Sequence, residues 1–244
     1  MIPRCFADPK DITKSADGLV VVIGGDDAHH LRTVLRLRPG DEVVVADGDG
    51  RDYPGTVAAF EEEGVRIVLL EPRPSMGEPR CSITLLQGLP KGDKMDWVVQ
   101  KAAEIGITTV VPILMERSVV QLTVAKAERR VERWQRIAKA AAQQAGRGRI
   151  PVIDAVHSLR DALVRWRDKA PQGLLLVPWE EERGTGIKRV LQDLAAAPKD
   201  VAIVIGPEGG LTDDEIALCR EHGAFSCTLG PRILRTETAG TVVA

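Results

Sequence analysis

Aromatic side chains are scarce, at 3% of 244 residues. That argues against recognition by rows of stacked rings, as in an RRM. An excess of charge of one sign is also missing. Thirty-three Lys and Arg stand against 35 Asp and Glu, so nothing global announces a nucleic-acid partner. The few cysteines, Cys5, Cys81, Cys219 and Cys227, form no CxxC pair and no ligand spacing. They are expected to be free thiols in a reducing compartment, with no disulfide and no metal site. No run approaches the roughly 18 apolar residues of a membrane span, and Met1-Ile2-Pro3-Arg4 lacks an apolar signal core. The expectation is a soluble cytoplasmic protein with no membrane partner.

What is present suffices for one large or two small cores, at 44% hydrophobic content. Residues 1–71 are β-rich, with short strands at Leu19–Ile23, Glu42–Ala46, Gly55–Phe60 and Val65–Leu70. Asp47-Gly48-Asp49-Gly50 reverses the chain between two of them. It is no calcium loop, because Arg51 holds the fifth position and Val57-Ala58 fall where the last acidic ligand belongs. In His29–Gly40, Leu31, Val34 and Leu35 follow helical spacing and are expected to pack inward, leaving Arg32 and Arg36 on an exposed face. That face is either a solvated basic helix or the phosphate-contacting edge of a small barrel. Residues 72–80, with three prolines and a glycine, read as a linker.

From Cys81 strands and helices alternate, which implies a mostly parallel α/β sheet. The strands are Ser82–Gln87, Thr108–Leu114, Gly173–Val177, Val201–Ile205 and Ala224–Leu229. The helices are Lys94–Ile105, Ala125–Ala145, Leu159–Lys169, Thr185–Ala197 and Asp213–His222, with Asp93 as an N-cap and Gly106 and Gly146 as C′ glycines. Nine Lys or Arg and three Glu lie between Glu116 and Arg149, again a phosphate surface or a solvated helix face.

The chain is organised around Val201–Leu211, VAIVIGPEGGL. A buried strand runs into a glycine loop, and Thr212 with Glu215 forms a capping box for the next helix. Ligands bind at such strand ends in open α/β sheets. A second strand-end loop, Leu229–Ala239 (LGPRILRTETA), makes a site more credible than either loop alone. The first loop is neither G-x-G-x-x-G nor a P-loop, and Glu208 stands where a pyrophosphate would be repelled. A cationic or neutral cofactor suits it better. S-adenosylmethionine is compatible, with a sulfonium charge and an adenine that buries among Leu and Ile.

IGPEGGLTDDEI (Ile205–Ile216) followed by LGPRILRTETA resembles the RsmE family of the SPOUT superfamily. The resemblance runs along the whole chain. It includes His30-Leu31, Val34-Leu35-Arg36, Pro39-Gly40-Asp41, Asp47-Gly48, Lys94-Met95, Gln100-Lys101, Glu104-Ile105-Gly106, Arg117, Gln144–Arg147, Arg149 and Pro151. It implies S-adenosylmethionine-dependent methylation of N3 of one uridine in bacterial 16S ribosomal RNA. It also implies a PUA-like RNA-binding barrel (1–71), a linker (72–80), a methyltransferase domain with a deep trefoil knot (81–244), and a homodimer. The sequence departs from the family at Ala145, often Ser or Cys there, and at Ala244, beyond which the last helix usually continues.

The resemblance assigns the cofactor to Leu176, Val177, Pro178, Ile205, Gly206, Pro207, Glu208, Gly209, Gly210, Leu229, Gly230, Ile233, Leu234 and Thr236. Uracil N3 is protonated and a poor nucleophile until that proton leaves. Arg235 is expected to stabilise charge on a uracil carbonyl oxygen, and Glu237 or Glu208 to accept the proton. The alternative for Arg235-Thr236-Glu237 is helix capping, with Thr236 as N-cap. RNA contacts are expected at His30, Arg32, Arg36, Arg117, Arg147 and Arg149, mostly to phosphates, with 16S ribosomal RNA in an assembled small subunit as partner. Two other classes remain open: a non-catalytic RNA-binding or ribosome-assembly protein of the same fold, and a nucleotide-dependent enzyme using the same loops.

Overall fold

The computed structural model describes residues 2–16, 18–120 and 122–244, which pack as two units. The first holds residues 1–78 together with 142–150. Its strands are β1 (Arg4–Phe6), β2 (Thr13–Ser15), β3 (Gly18–Ile23), β4 (Glu42–Ala46), β5 (Arg51–Phe60), β6 (Val65–Leu69) and β7 (Arg73–Pro74). The sheet order is β1-β4-β5-β6-β3-β2, with β7 on β5. β1 runs parallel to β4 and the other pairs are antiparallel. Val65, Ile67 and Leu69 alternate inward along β6 and meet Val21, Val43, Val45 and Val57 in one core. Asp47 secures the reversal it was expected to make, accepting hydrogen bonds from the N–H groups of Asp49 (2.8 Å) and Arg51 (3.0 Å).

The helix expected over His29–Gly40 differs. A short helix α1 (Gly25–His29) opens into a wide π-helical turn over His30–Val34, where Leu35 N–H donates to the His30 carbonyl at 2.9 Å. The wider turn takes up an extra residue and rotates Val34 away from the face of Leu31, and Leu35 stands at the end of the turn as its C-cap. Leu31 is buried, but Val34 is 60% and Leu35 39% exposed, against the expectation that all three pack inward. Arg36 lies beyond the helix, in left-handed backbone (φ 54°), so it does not share a helical face with Arg32. Part of the expected linker also has a place in the sheet, as β7.

The second unit holds residues 79–141 and 151–244. Its strands are β8 (Ser82–Gly88), β9 (Thr109–Leu114), β10 (Val152–Ile153), β11 (His157–Ser158), β12 (Leu174–Pro178), β13 (Asp200–Ile205) and β14 (Ala224–Cys227). Every pair is parallel, in the order β10-β9-β8-β13-β12-β14 with β11 on β9. The helices are α2 (Lys94–Ile105), α3 (Val124–Gln144), α4 (Leu159–Lys169), α5 (Ile187–Gln192), α6 (Asp213–Glu221) and α7 (Thr236–Val243). Residues of α2, α3 and α7 cover one face of the sheet, those of α4 and α6 the other.

The caps follow the sequence with two exceptions. Gly106 ends α2 at φ 100°, and Thr212 and Glu215 form the full capping box of α6. Asp93 precedes α2 without making a side-chain cap bond. α5 runs over Ile187–Gln192 instead of the expected Thr185–Ala197; Pro198 accounts only for Ala197 leaving helical backbone. Residues 142–150, expected in one continuous domain over 81–244, pack with the first unit: Ala142 and Ile150 close a small core with Phe6 and Ala46.

Candidate active site

Three strand-end loops converge at the C-terminal edge of the central strands. The loop after β13 is Gly206–Leu211. A second, Trp179–Gly186, follows β12. A third, Thr228–Arg235, leads from β14 into α7. Together with Lys94 on α2 they enclose a cavity of about 540 Å³. Of the expected cofactor residues, Pro178, Ile205, Gly206, Pro207, Glu208, Gly210, Leu229, Gly230, Ile233, Leu234 and Thr236 line it. Leu176 and Val177 do not: they are 2% and 1% exposed, and their side chains belong to the cores beneath the strand. Gly209 stands behind the loop, where a Cβ would come within 2.8 Å of Arg117 Cβ.

Close packing explains the glycines. A Cβ on Gly206 would lie 3.0 Å from the Gly210 carbonyl carbon. Gly210 turns the loop at φ 72°. Gly88, at the end of β8, lets Pro207 pass: a Cβ there would meet Pro207 N at 2.7 Å. Arg117, expected at RNA, braces this loop from outside by donating to the carbonyls of Gly209 (2.9 Å) and Leu211 (3.2 Å).

Thr236 joins two of the loops. It is buried, and its hydroxyl donates to the Gly206 carbonyl at 2.5 Å while accepting from Gln87 Nε2 at 2.9 Å. It is the first helical residue of α7. Arg235 occupies the N-cap position without a side-chain cap bond, which corrects the expectation of Thr236 as N-cap.

The charged groups divide by partner. Glu208 accepts from Lys94 Nζ (2.7 Å) and Lys91 N–H (3.1 Å). Burial pushes its carboxyl up, but the Lys94 hydrogen bond and nearby N–H groups outweigh that and hold it below the ordinary value. The Lys94 ammonium is raised, chiefly by Glu208. Glu237, in the first turn of α7, is less engaged. Its Oε2 is buried without a hydrogen-bond partner, with Lys94 Nζ 3.9 Å away, and Oε1 lies 4.0 Å from Arg235 Nη1. The Arg235 side chain is 84% exposed at the rim. Sequence reasoning missed Trp179, Glu180 and Arg183, although they follow a buried strand as directly as the other two loops do. Glu182 pins that loop, accepting from Gly184 N–H and the Ser226 hydroxyl, both at 2.8 Å; these bonds hold its carboxyl below the ordinary value.

The candidate RNA contacts belong elsewhere. His30, Arg32, Arg36 and Arg149 are exposed on the first unit. Arg147 is not: it is 2% exposed and ion-paired to Glu78 at 2.9 Å. It is a structural residue and cannot reach RNA, which corrects its assignment as a contact.

Residues 77–244 match the RNA methyltransferase domain family, and residues 23–70 the RNA methyltransferase PUA domain. The ribosomal RNA small subunit methyltransferase E of Bacillus subtilis is 36% identical over 220 residues, 89% of this chain and 85% of that protein. The chain belongs to the ribosomal RNA small subunit methyltransferase E family. Solved structures agree over its full length. The family member from Neisseria gonorrhoeae bound to S-adenosyl methionine superposes with a TM-score of 0.83 at 30% identity, over 99% of this chain and 94% of that one. A putative methyltransferase from Legionella pneumophila in complex with the same cofactor gives 0.83 at 27% identity, over 99% and 95%. The cavity therefore lies in the methyltransferase domain of an rRNA methyltransferase family member, and the first unit contains its PUA domain. Among the described residues no helix is long and apolar enough to cross a membrane, and no metal-binding cluster occurs.

Proposed function

We propose that the cavity binds S-adenosylmethionine and that the enzyme methylates N3 of a uridine in bacterial 16S ribosomal RNA. The observation that carries this reading is the orphaned Glu237 Oε2 beside a glycine-walled cavity. The residues fit the group: apolar Ile205, Leu229 and Leu234 suit an adenine, and Glu180, Glu208 and Glu237 favour a cation over a pyrophosphate. When bound, S-adenosylmethionine supplies an electrophilic methyl on a positively charged sulfur.

The chain's own residues divide the remaining work. Glu237 accepts the N3 proton through its unbonded oxygen. Glu208 is the poorer base, because Lys94 and Lys91 hold its charged form. Arg235, exposed at the rim, places its guanidinium on the uracil carbonyl oxygen that gains charge as the proton leaves. Thr236 keeps the loops in register while its neighbours act. Exposed Arg32, Arg36 and Arg149 contact phosphates, and the uridine is presented out of its stack.

The finer features follow the family resemblance: a cytoplasmic homodimer acting on an assembled small subunit, and a trefoil knot. The path of residues 228–243 suits a knot, since it leaves edge strand β14 and returns to pack α7 on α2. Stretching the unfolded chain tests this, because a knot leaves it shorter than its contour length. Sedimentation tests the dimer.

Calorimetric titration with S-adenosylmethionine, with NAD and ATP as controls, tests the cofactor. Micromolar binding of the methyl donor alone is expected. Binding of NAD or ATP in its place would sink the reading. Nuclease digestion and mass spectrometry of methylated small-subunit RNA then test the position, with 3-methyluridine expected.

A further inference from the structure

The π-helical turn of the first unit exposes two aliphatic side chains that the sequence pattern places inside. We propose that Val34 and Leu35 form an apolar wedge for an unstacked base of the RNA substrate, flanked by Arg32 and Arg36 on the adjoining phosphates. This rests on the RNA-substrate reading above.

Three observations converge on it. First, exposure: Val34 is 60% and Leu35 39% open, beside a Leu31 that is fully buried. Second, the backbone holds them out. Leu35 N–H donates to His30 across the wide turn, and Leu37 N–H donates to the Leu31 carbonyl at 3.1 Å. That second bond reaches six residues back and closes a loop around Arg36, which holds left-handed backbone at φ 54°. Glycine takes that position without steric cost. Arg36 is the one described residue other than glycine with positive φ. Wide turns and such strain gather at functional sites.

Third, the charges fit RNA. Arg32, Arg36 and Arg38 are exposed around the tip. Arg32 lies over the Phe60 ring, 5.3 Å from its centre, which steadies it along the surface. Asp26 and Asp27 lie in the first turn of the helix, away from the tip, and Asp41 near the tip is engaged by the Arg38 N–H at 2.7 Å. Two aliphatic side chains ringed by cations are too small a patch for a stable protein interface, which needs roughly 800 Å² from each partner. They suit one base, since apolar wedges enter between base steps while cations hold the backbone.

The test compares Val34→Ser/Leu35→Ser with Val34→Leu/Leu35→Met and the parental chain. The probes are small-subunit ribosomal RNA and a labelled RNA hairpin with a uridine-rich loop. The serine variant is expected to bind both RNAs about tenfold more weakly at every salt concentration. The slope of log affinity against log salt is expected to stay as in the parental chain, because no charge is lost. The aliphatic variant keeps parental affinity. The aliphatic variant keeps the parental thermal midpoint, the serine variant loses a few degrees at most from the partly buried Leu35, and both stay folded with parental S-adenosylmethionine titration. If the parental chain binds RNA and the serine variant is within twofold of it, the wedge is overturned and the RNA reading stands. A parental chain that binds no RNA overturns both. If the serine variant turns a dimer into monomer with RNA affinity intact, the patch belongs to a second copy of the chain and the wedge is overturned.

Discussion

Residue identity and backbone conformation pull apart at Arg36, and that conflict is measurable. Arg36→Gly relieves the left-handed strain and is expected to stabilise the first unit by about 1 kcal/mol. Slower amide exchange in β4–β6 would show it, together with weaker RNA binding from the lost cation. A stability loss would mean that Arg36 holds the turn by contacts outweighing its strain. At the catalytic end, Glu237→Gln keeps size and removes the base. Turnover is expected to drop about 10²–10⁴-fold, far more than cofactor affinity, which loses one of three carboxylate charges around the cavity. Single-turnover methylation checks this, and an unchanged rate would remove Glu237 from the proton path. Thr236→Val keeps shape but strips the hydroxyl between Gln87 and Gly206. The expected cost is about 1–3 kcal/mol, the penalty for leaving buried polar groups unpaired. Urea unfolding measures it, and calorimetry should show weaker cofactor binding from the loosened loops.

At the scale of elements, the site exists because β8 ends in a glycine and β13 continues into one. Gly88→Ala puts a Cβ 2.7 Å from Pro207 N, so the glycine loop must shift. Cofactor affinity is expected to fall at least tenfold; parental affinity would mean the loop adapts without cost to the cavity. The Lys94–Glu208 pair ties α2 to the same loop, and its pH dependence has a defined sign. Glu208 is depressed below 4.5, so its contribution is present above 4.5 and is lost as pH falls through its lower folded value. Lys94 is raised above 10.5, so its contribution is present below 10.5 and fades as pH rises beyond it. Lys94→Met lets the Glu208 carboxyl rise toward its ordinary value. The acid-side loss of stability that Glu208 contributes in the parental chain should then shrink, because its folded and unfolded values converge. Much of this level was legible in the sequence. The β-branched run before Gly206, the Thr212–Glu215 box and the periodicity of Lys94–Ile105 each depend on neighbours within a few residues. What escaped is long-range or conflicted. The two-residue strands β7, β10 and β11 owe their existence to partners elsewhere in the sheets. The turn after His30 keeps α-helical spacing in its sequence while its hydrogen bonds widen.

For the whole molecule, the sharpest lesson is in Arg147 and Arg149. They are the same residue type, two positions apart in one basic corner, and a local reading gives both to RNA. The difference is made by Glu78, 69 residues before Arg147, which takes the Arg147 guanidinium into a buried pair. Residues 142–150 pack with the first unit for the same reason, a division that composition along the chain does not display. Arg149 stays exposed, although its Nε reaches the Asp49 carbonyl at 3.1 Å. The two substitutions should therefore separate stability from binding. Arg147→Ala removes a buried guanidinium and leaves the partly exposed Glu78 carboxylate with only the N–H groups of Gly148 and Arg149, and about 1–3 kcal/mol of stability should be lost. The slope of log RNA affinity against log salt should not change, since Arg147 releases no counterion from RNA. Arg149→Ala should leave the urea midpoint near parental and make that slope shallower by about one. Both are read from one salt series and one urea titration per variant. A shallower slope for Arg147→Ala, or an unchanged one for Arg149→Ala, would reverse the assignment of the two arginines.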